Sequence, residues 1–107
     1  MDNLNNDTEL LDLIKDKRMS AIYFTGGACG ACEVIKTKIE DILKRFPEIK
    51  SGEVNAEKHL DLAAKYNVFS VPIFLLYIEG KESIRVGRNL DLLELEASVK
   101  RYYEMIF

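Results

Sequence analysis

The chain has 107 residues, of which 48% are apolar and 31% charged. That composition supports one packed domain and excludes disorder, and the length excludes an enzyme whose cleft lies between two lobes. Fifteen Lys and Arg against eighteen Asp and Glu leave a net charge of -3, which argues against a nucleic-acid partner, because such a partner needs a basic face. The longest apolar run, Val71 to Ile78, contains Pro72 and spans eight residues. A membrane span needs ~20, so none is expected. Met1-Asp2-Asn3-Leu4-Asn5-Asn6 has neither a basic start nor an apolar stretch, so no secretory signal is expected. Residues 1–107 are expected to form one domain in the cytoplasm, where thiols stay reduced.

Helix and strand patterns alternate along the chain. The tip before Asp7 is short and Asn-rich and is expected to be loose. Leu10, Leu11 and Ile14 mark a first amphipathic helix, with Asp7 or Thr8 as its N-cap. Ser20 to Thr25 is a compact strand pattern that stops at Gly26-Gly27. Ile35, Ile39, Ile42, Leu43 and Phe46 form one stripe of a long helix ended by Pro47. Gly52 to Asn55 is a short strand, and Asn55 can cap the helix that follows. That helix turns Leu60, Ala63 and Ala64 inward, carries His59 on its surface, and ends near Asn67. Ile73 to Ile78 is nearly all apolar, as in a strand covered on both faces. Glu79-Gly80-Lys81 reads as a hairpin turn, with Ser83 to Val86 returning. Leu92, Leu95, Val99, Tyr102 and Ile106 mark a last helix, and Tyr102, Tyr103 and Phe107 are expected to pack at its end. The order implies an α/β fold with helices on both faces of a mixed sheet.

Cys29-Gly30-Ala31-Cys32 falls between the first of these strands and the long helix, and holds the chain's two cysteines. The nucleophile of thiol–disulfide exchange is the thiolate. A helix N-terminus offers unpaired N–H groups and a partial positive charge, both favouring the anion. Two intervening residues let the second thiol reach the first. Cys29 is therefore expected to be the exposed attacking thiol and Cys32 the buried resolving one. A zinc site would need four ligands, and only His59 adds to the two cysteines.

With Ala28 to Cys32 after a strand, Val71-Pro72 before an apolar strand about 40 residues on, and Gly80 and Gly87 in the closing segment, the chain resembles the thioredoxin family over essentially its full length. The resemblance implies a thioredoxin fold with a four-stranded central mixed sheet flanked by helices, a fifth strand before Asp7 being the open alternative. It implies a cis peptide bond at Pro72, backbone of Val71 that bonds an extended substrate, and Gly87 beside the groove. Ala28, Gly30, Ala31, Val71, Pro72 and Gly87 are then the substrate-binding positions.

The departures from the family pattern are specific. The usual motif is Trp-Cys-Gly-Pro-Cys. Ala28 here removes the aromatic lid, and Ala31 frees an N–H at the helix start. The family's buried Asp is replaced by Tyr23, and the lysine that often partners it by Glu53. Glu53 is the candidate proton acceptor for the resolving cysteine, supplied from the neighbouring strand; an exposed strand-end glutamate is the bland alternative. Glu33 follows Cys32 and opposes a thiolate, with Lys36 available to offset it. The expected activity is reduction of protein or small-molecule disulfides by the Cys29–Cys32 dithiol. No bound cofactor is expected, electrons come from an external reductase, and the chain is expected to be a monomer. A thioredoxin-like binding module with weak or absent redox chemistry is the alternative, and a cluster-bridged dimer a third reading.

Overall fold

A computed structural model describes residues 1–16 and 18–107, apart from the side chain of Asp16. The sheet is built around β2 (Met19–Thr25), all seven of whose residues are buried. β2 pairs in parallel with β3 (Lys50–Asn55) and antiparallel with β4 (Ile73–Ile78). β5 (Lys81–Val86) returns antiparallel beside β4. Ile78 pairs with Lys81 across Glu79 and Gly80, whose φ values are 50° and 83°. Two left-handed residues in a two-residue loop match the twist of the strands they join.

Side chains of β2 alternate between two cores, as a strand covered on both faces requires. Ile22 and Phe24 join Val54 and Leu75 under α1 (Asp7–Asp16) and α3 (Leu60–Lys65). Met19, Ala21 and Tyr23 join Phe74 and Leu76 under α2 (Gly30–Leu43) and α4 (Leu92–Ile106). The long-helix stripe is borne out at Ile39, Ile42 and Leu43, but α2 ends at Leu43, well before Pro47, and Phe46 is buried beyond its end; Leu95 and Val99 anchor α4. Tyr103 stacks between Phe46 and Phe107, so the aromatic cluster is helix-end packing.

Several expectations are corrected. The sheet has five strands in the order β1-β3-β2-β4-β5, because β1 (Asp2–Asn3) pairs in parallel with β3. The tip is therefore not loose. Leu4 is buried, and its N–H donates to the Glu53 carbonyl at 2.8 Å. Gly52 makes the space: a Cβ there would come within 2.6 Å of the Leu4 side chain.

The α1 cap is Asn6, not Asp7 or Thr8. Its Oδ1 accepts the Glu9 N–H at 2.9 Å, while the Glu9 carboxylate accepts the Asn5 N–H, close to a capping-box pattern. Asp7 instead faces α3, accepting from the Tyr66 hydroxyl at 2.8 Å and pairing with Lys65.

Helix α3 turns Leu62 and Ala63 inward and leaves Leu60 and Ala64 exposed. Asn55 caps the turn before it, accepting from the Glu57 and Lys58 N–H groups. The helix thus begins only at Leu60, and His59 precedes it, half-buried. No helix among the described residues is long and apolar enough to cross a membrane.

Candidate active site

Cys29 is the N-cap of α2, with extended backbone at φ -130° and ψ 94°. Its Sγ accepts the Cys32 N–H at 3.2 Å, and the two residues are joined as a disulfide with Cα atoms 5.3 Å apart. Cys32 is wholly buried, whereas Cys29 is half-buried at the edge of the exposed residues Ala28 and Gly30. One sulfur can meet a large substrate and the other cannot.

The peptide bond between Val71 and Pro72 is cis. Val71 packs against the root of the cysteine loop: a Cβ on Gly26 would lie 3.2 Å from Val71 Cγ2. Gly87 lies on the other side of the proline, where a Cβ would be 3.7 Å from the Pro72 carbonyl oxygen. The next residue, Arg88, donates from Nη2 to the Val71 carbonyl at 3.1 Å.

Beneath the disulfide, the Tyr23 hydroxyl donates to the Cys32 carbonyl at 2.7 Å. Burial, and then the nearby charges of Glu33 and Glu53, push its pKa up to about 12. Glu53 is paired with Tyr23 across β2 and β3, on the α2 face. There its carboxylate meets Lys36 Nζ at 2.8 Å, and that hydrogen bond is the first cause raising the Lys36 pKa. Glu53 and Glu33 also line a polar cavity of about 310 Å³ with Thr25, Asn55, Lys58 and His59.

A disulfide at a strand-to-helix junction, with a cis Val71–Pro72 bond whose Val71 packs on the same loop at Gly26, invites comparison with known proteins. The family model described as Thioredoxin matches residues 3–101. The chain belongs to the thioredoxin family. A thioredoxin-like protein of Bacillus subtilis, YdfQ, is 32% identical over 105 residues, covering 98% of this chain and 94% of that one. A thioredoxin from Fasciola hepatica has a TM-score of 0.83 at 30% identity, covering 94% of this chain and 98% of that one. Oxidised mitochondrial thioredoxin 3 from Saccharomyces cerevisiae has a TM-score of 0.84 at 24% identity, covering 94% of each chain, and bears on the fold alone. The protein is a thiol–disulfide oxidoreductase of the thioredoxin type. Its redox group is the Cys29–Cys32 disulfide, and the family's chemistry uses no bound cofactor.

The structure brings some of the expected site residues together. Val71, Pro72 and Gly87 adjoin one another, and Val71 meets the cysteine loop at Gly26. Glu53 sits on the side of Tyr23, and Lys36 binds it directly while the charge of Glu33 acts on Lys36 more weakly. Sequence reasoning missed Arg88, whose only signal was its place after Gly87. It also missed Glu57, whose carboxylate lies over Gly26 and Gly27; nothing in the local pattern marks that residue.

Proposed function

We propose that this chain, acting as one monomeric domain over residues 1–107 in the cytoplasm, reduces disulfides of protein or small-molecule substrates. The observation that carries the reading is the contrast between the two sulfurs, Cys29 reachable and Cys32 sealed. The Cys29 thiolate attacks one substrate sulfur, and the other substrate sulfur leaves as a thiolate. Cys32 loses its proton and attacks Cys29 Sγ, releasing the second substrate thiol. The substrate has gained two electrons and the protein holds the Cys29–Cys32 disulfide. An external flavin-dependent reductase or dithiol donor returns the electrons. Ala28, Gly30, Ala31, Val71, Pro72 and Gly87 flank the substrate, and Glu53 accepts the proton from Cys32. The substrate's backbone meets Val71, where Arg88 must yield its carbonyl.

A second reading has its own support. Tyr23 stays protonated at neutral pH and supplies no base below Cys32, which suits a binding module with slow redox chemistry. Paired variants separate the two. Reduced Cys32→Ser should form a stable mixed disulfide with an oxidised test protein such as insulin, and Cys29→Ser should form none. Failure of Cys32→Ser to trap any partner would reject this order of attack. Equal retention of a partner by Cys29→Ser would favour the binding module.

A further inference from the structure

Val71 lies before β4, and among the described residues no backbone N–H bonds its carbonyl. The guanidinium of Arg88 takes that carbonyl instead, from Nη2 at 3.1 Å. A backbone acceptor that the sheet leaves free is where an extended chain can add, and Val71 packs against the root of the cysteine loop at Gly26. A neutral carbonyl is a weak partner for an arginine. Arg88 is exposed, and no carboxylate among the described residues pairs with it. Arg85 on β5 shows the contrast: it bonds the Glu82 carboxylate as well as the Tyr66 and Asn67 carbonyls. The backbone that carries Arg88 is held in place. Gly87 adjoins the Pro72 carbonyl, and the Leu90 N–H donates to the Gly87 carbonyl at 3.1 Å. On the side-chain side of Val71, the Glu57 carboxylate lies over Gly26 and Gly27. Val71 is thus flanked by a positive and a negative group.

We propose that Arg88 is a specificity residue that selects polypeptide disulfides flanked by an acidic side chain. In the free protein it covers the Val71 carbonyl. When the backbone of a substrate takes that carbonyl, the guanidinium moves onto a substrate carboxylate. This names the substrate class of the reductase reading given above and rests on it. A guanidinium bonds a carboxylate through two parallel, charge-assisted contacts, so an acidic substrate more than replaces the bond that Arg88 gives up. A neutral substrate leaves the guanidinium to water, and a basic one repels it. Glu57 disfavours a carboxylate at the cysteine loop, so the acidic side chain belongs on the Arg88 side of Val71.

The test uses the full chain recycled by dithiothreitol. Its substrates are disulfide peptides that carry Glu, Gln or Lys close to one cysteine, on either the N-terminal or the C-terminal side. An exposed ion pair is worth up to about fivefold, so on one of the two sides the Glu peptide should exceed the Gln peptide by roughly that factor in kcat/KM, with the Lys peptide lowest. The preference should lie mainly in KM and fade in about 0.5 M salt. Arg88→Ala should bring the Glu and Gln peptides level. Arg88→Lys should keep the order at a smaller ratio, and Arg88→Glu should put the Lys peptide first. Each ratio compares substrates on one variant, so a change in the amount of folded protein does not move it. Equal kcat/KM for all the peptides on the wild type, with the uncharged dipyridyl disulfide still turned over, would overturn the role of Arg88 alone. A Glu preference that survives Arg88→Ala would do the same. No turnover of any disulfide would overturn the redox reading and this inference with it.

Discussion

At Tyr23 the thioredoxin site carries a phenol in place of a carboxylate. The hydroxyl donates to the Cys32 carbonyl and so holds the first turn of α2 from below. With its pKa pushed up to about 12, first by burial, it cannot take a proton from Cys32 near neutrality. The two carboxylates whose charges reach it are Glu33 and Glu53. Glu53 lies on the same face of the sheet and is steered by Lys36 at 2.8 Å. Glu53→Gln should therefore slow turnover of a protein disulfide several-fold near neutral pH and alter the pH profile of kcat. The fold should survive, since a partly exposed pair contributes only ~0.2–1 kcal/mol. An unchanged rate and profile would remove Glu53 from the mechanism. The cysteines, Val71-Pro72 and Gly87 were legible because each is a residue type with one dominant use at its place in the pattern. The Lys36–Glu53 contact was not. It joins side chains 17 residues apart, and only the register of β3 against β2 and the rotation of α2 bring them together.

Among the elements, α1 shows how a helix is fixed by more than its apolar stripe. Leu10 and Ile14 bury it against the sheet, and Asp7 ties its first turn to the end of α3. The hydrogen bonds from Lys65 and then Tyr66, together with the charges of Lys65 and Lys15, hold the Asp7 carboxyl below its ordinary value. A lowered folded-state pKa means stability that is present above the unfolded value, near ~4, and lost as pH falls through the folded one. Asp7→Asn should thus lower Tm at pH 7, and its gap from the wild type should close as the pH drops below about 4. Thermal melts from pH 7 to pH 2 would show this; a gap independent of pH would mean that the carboxylate charge contributes nothing. Sequence patterning placed α1 but missed its cap, because Asn6, Asp7 and Thr8 are all competent N-caps. It missed β1 as well. A two-residue strand has no measurable alternation, and its anchor is a single Leu4 fitting over Gly52.

Across the whole molecule, β2 is the shared wall of both cores. Tyr23 and Phe24 are neighbours in sequence, both wholly buried, and belong to opposite faces. The Cα radius of gyration, 12.7 Å, is that of a compact chain of this length. Since β2 pairs with both β3 and β4, neither core can come apart while the other keeps its strand. Phe24→Ala removes a ring packed beside Val54 and Leu75, and such deletions cost about 3–5 kcal/mol. Against a total of ~5–15 kcal/mol that is a large share, equivalent to a fall in Tm of roughly 10–30 °C. Although Phe24 touches the core under α1 and α3, the core under α2 and α4 should melt with it. Calorimetry should then record a single transition for wild type and variant alike, with calorimetric and van't Hoff enthalpies equal. Near-ultraviolet signals from Tyr103, packed between Phe46 and Phe107 on the far face, should follow the same curve. Two resolved transitions, or a Tyr103 environment that outlasts the loss of the Phe24 core, would show that the faces fold separately and that residues 1–107 are not one cooperative unit.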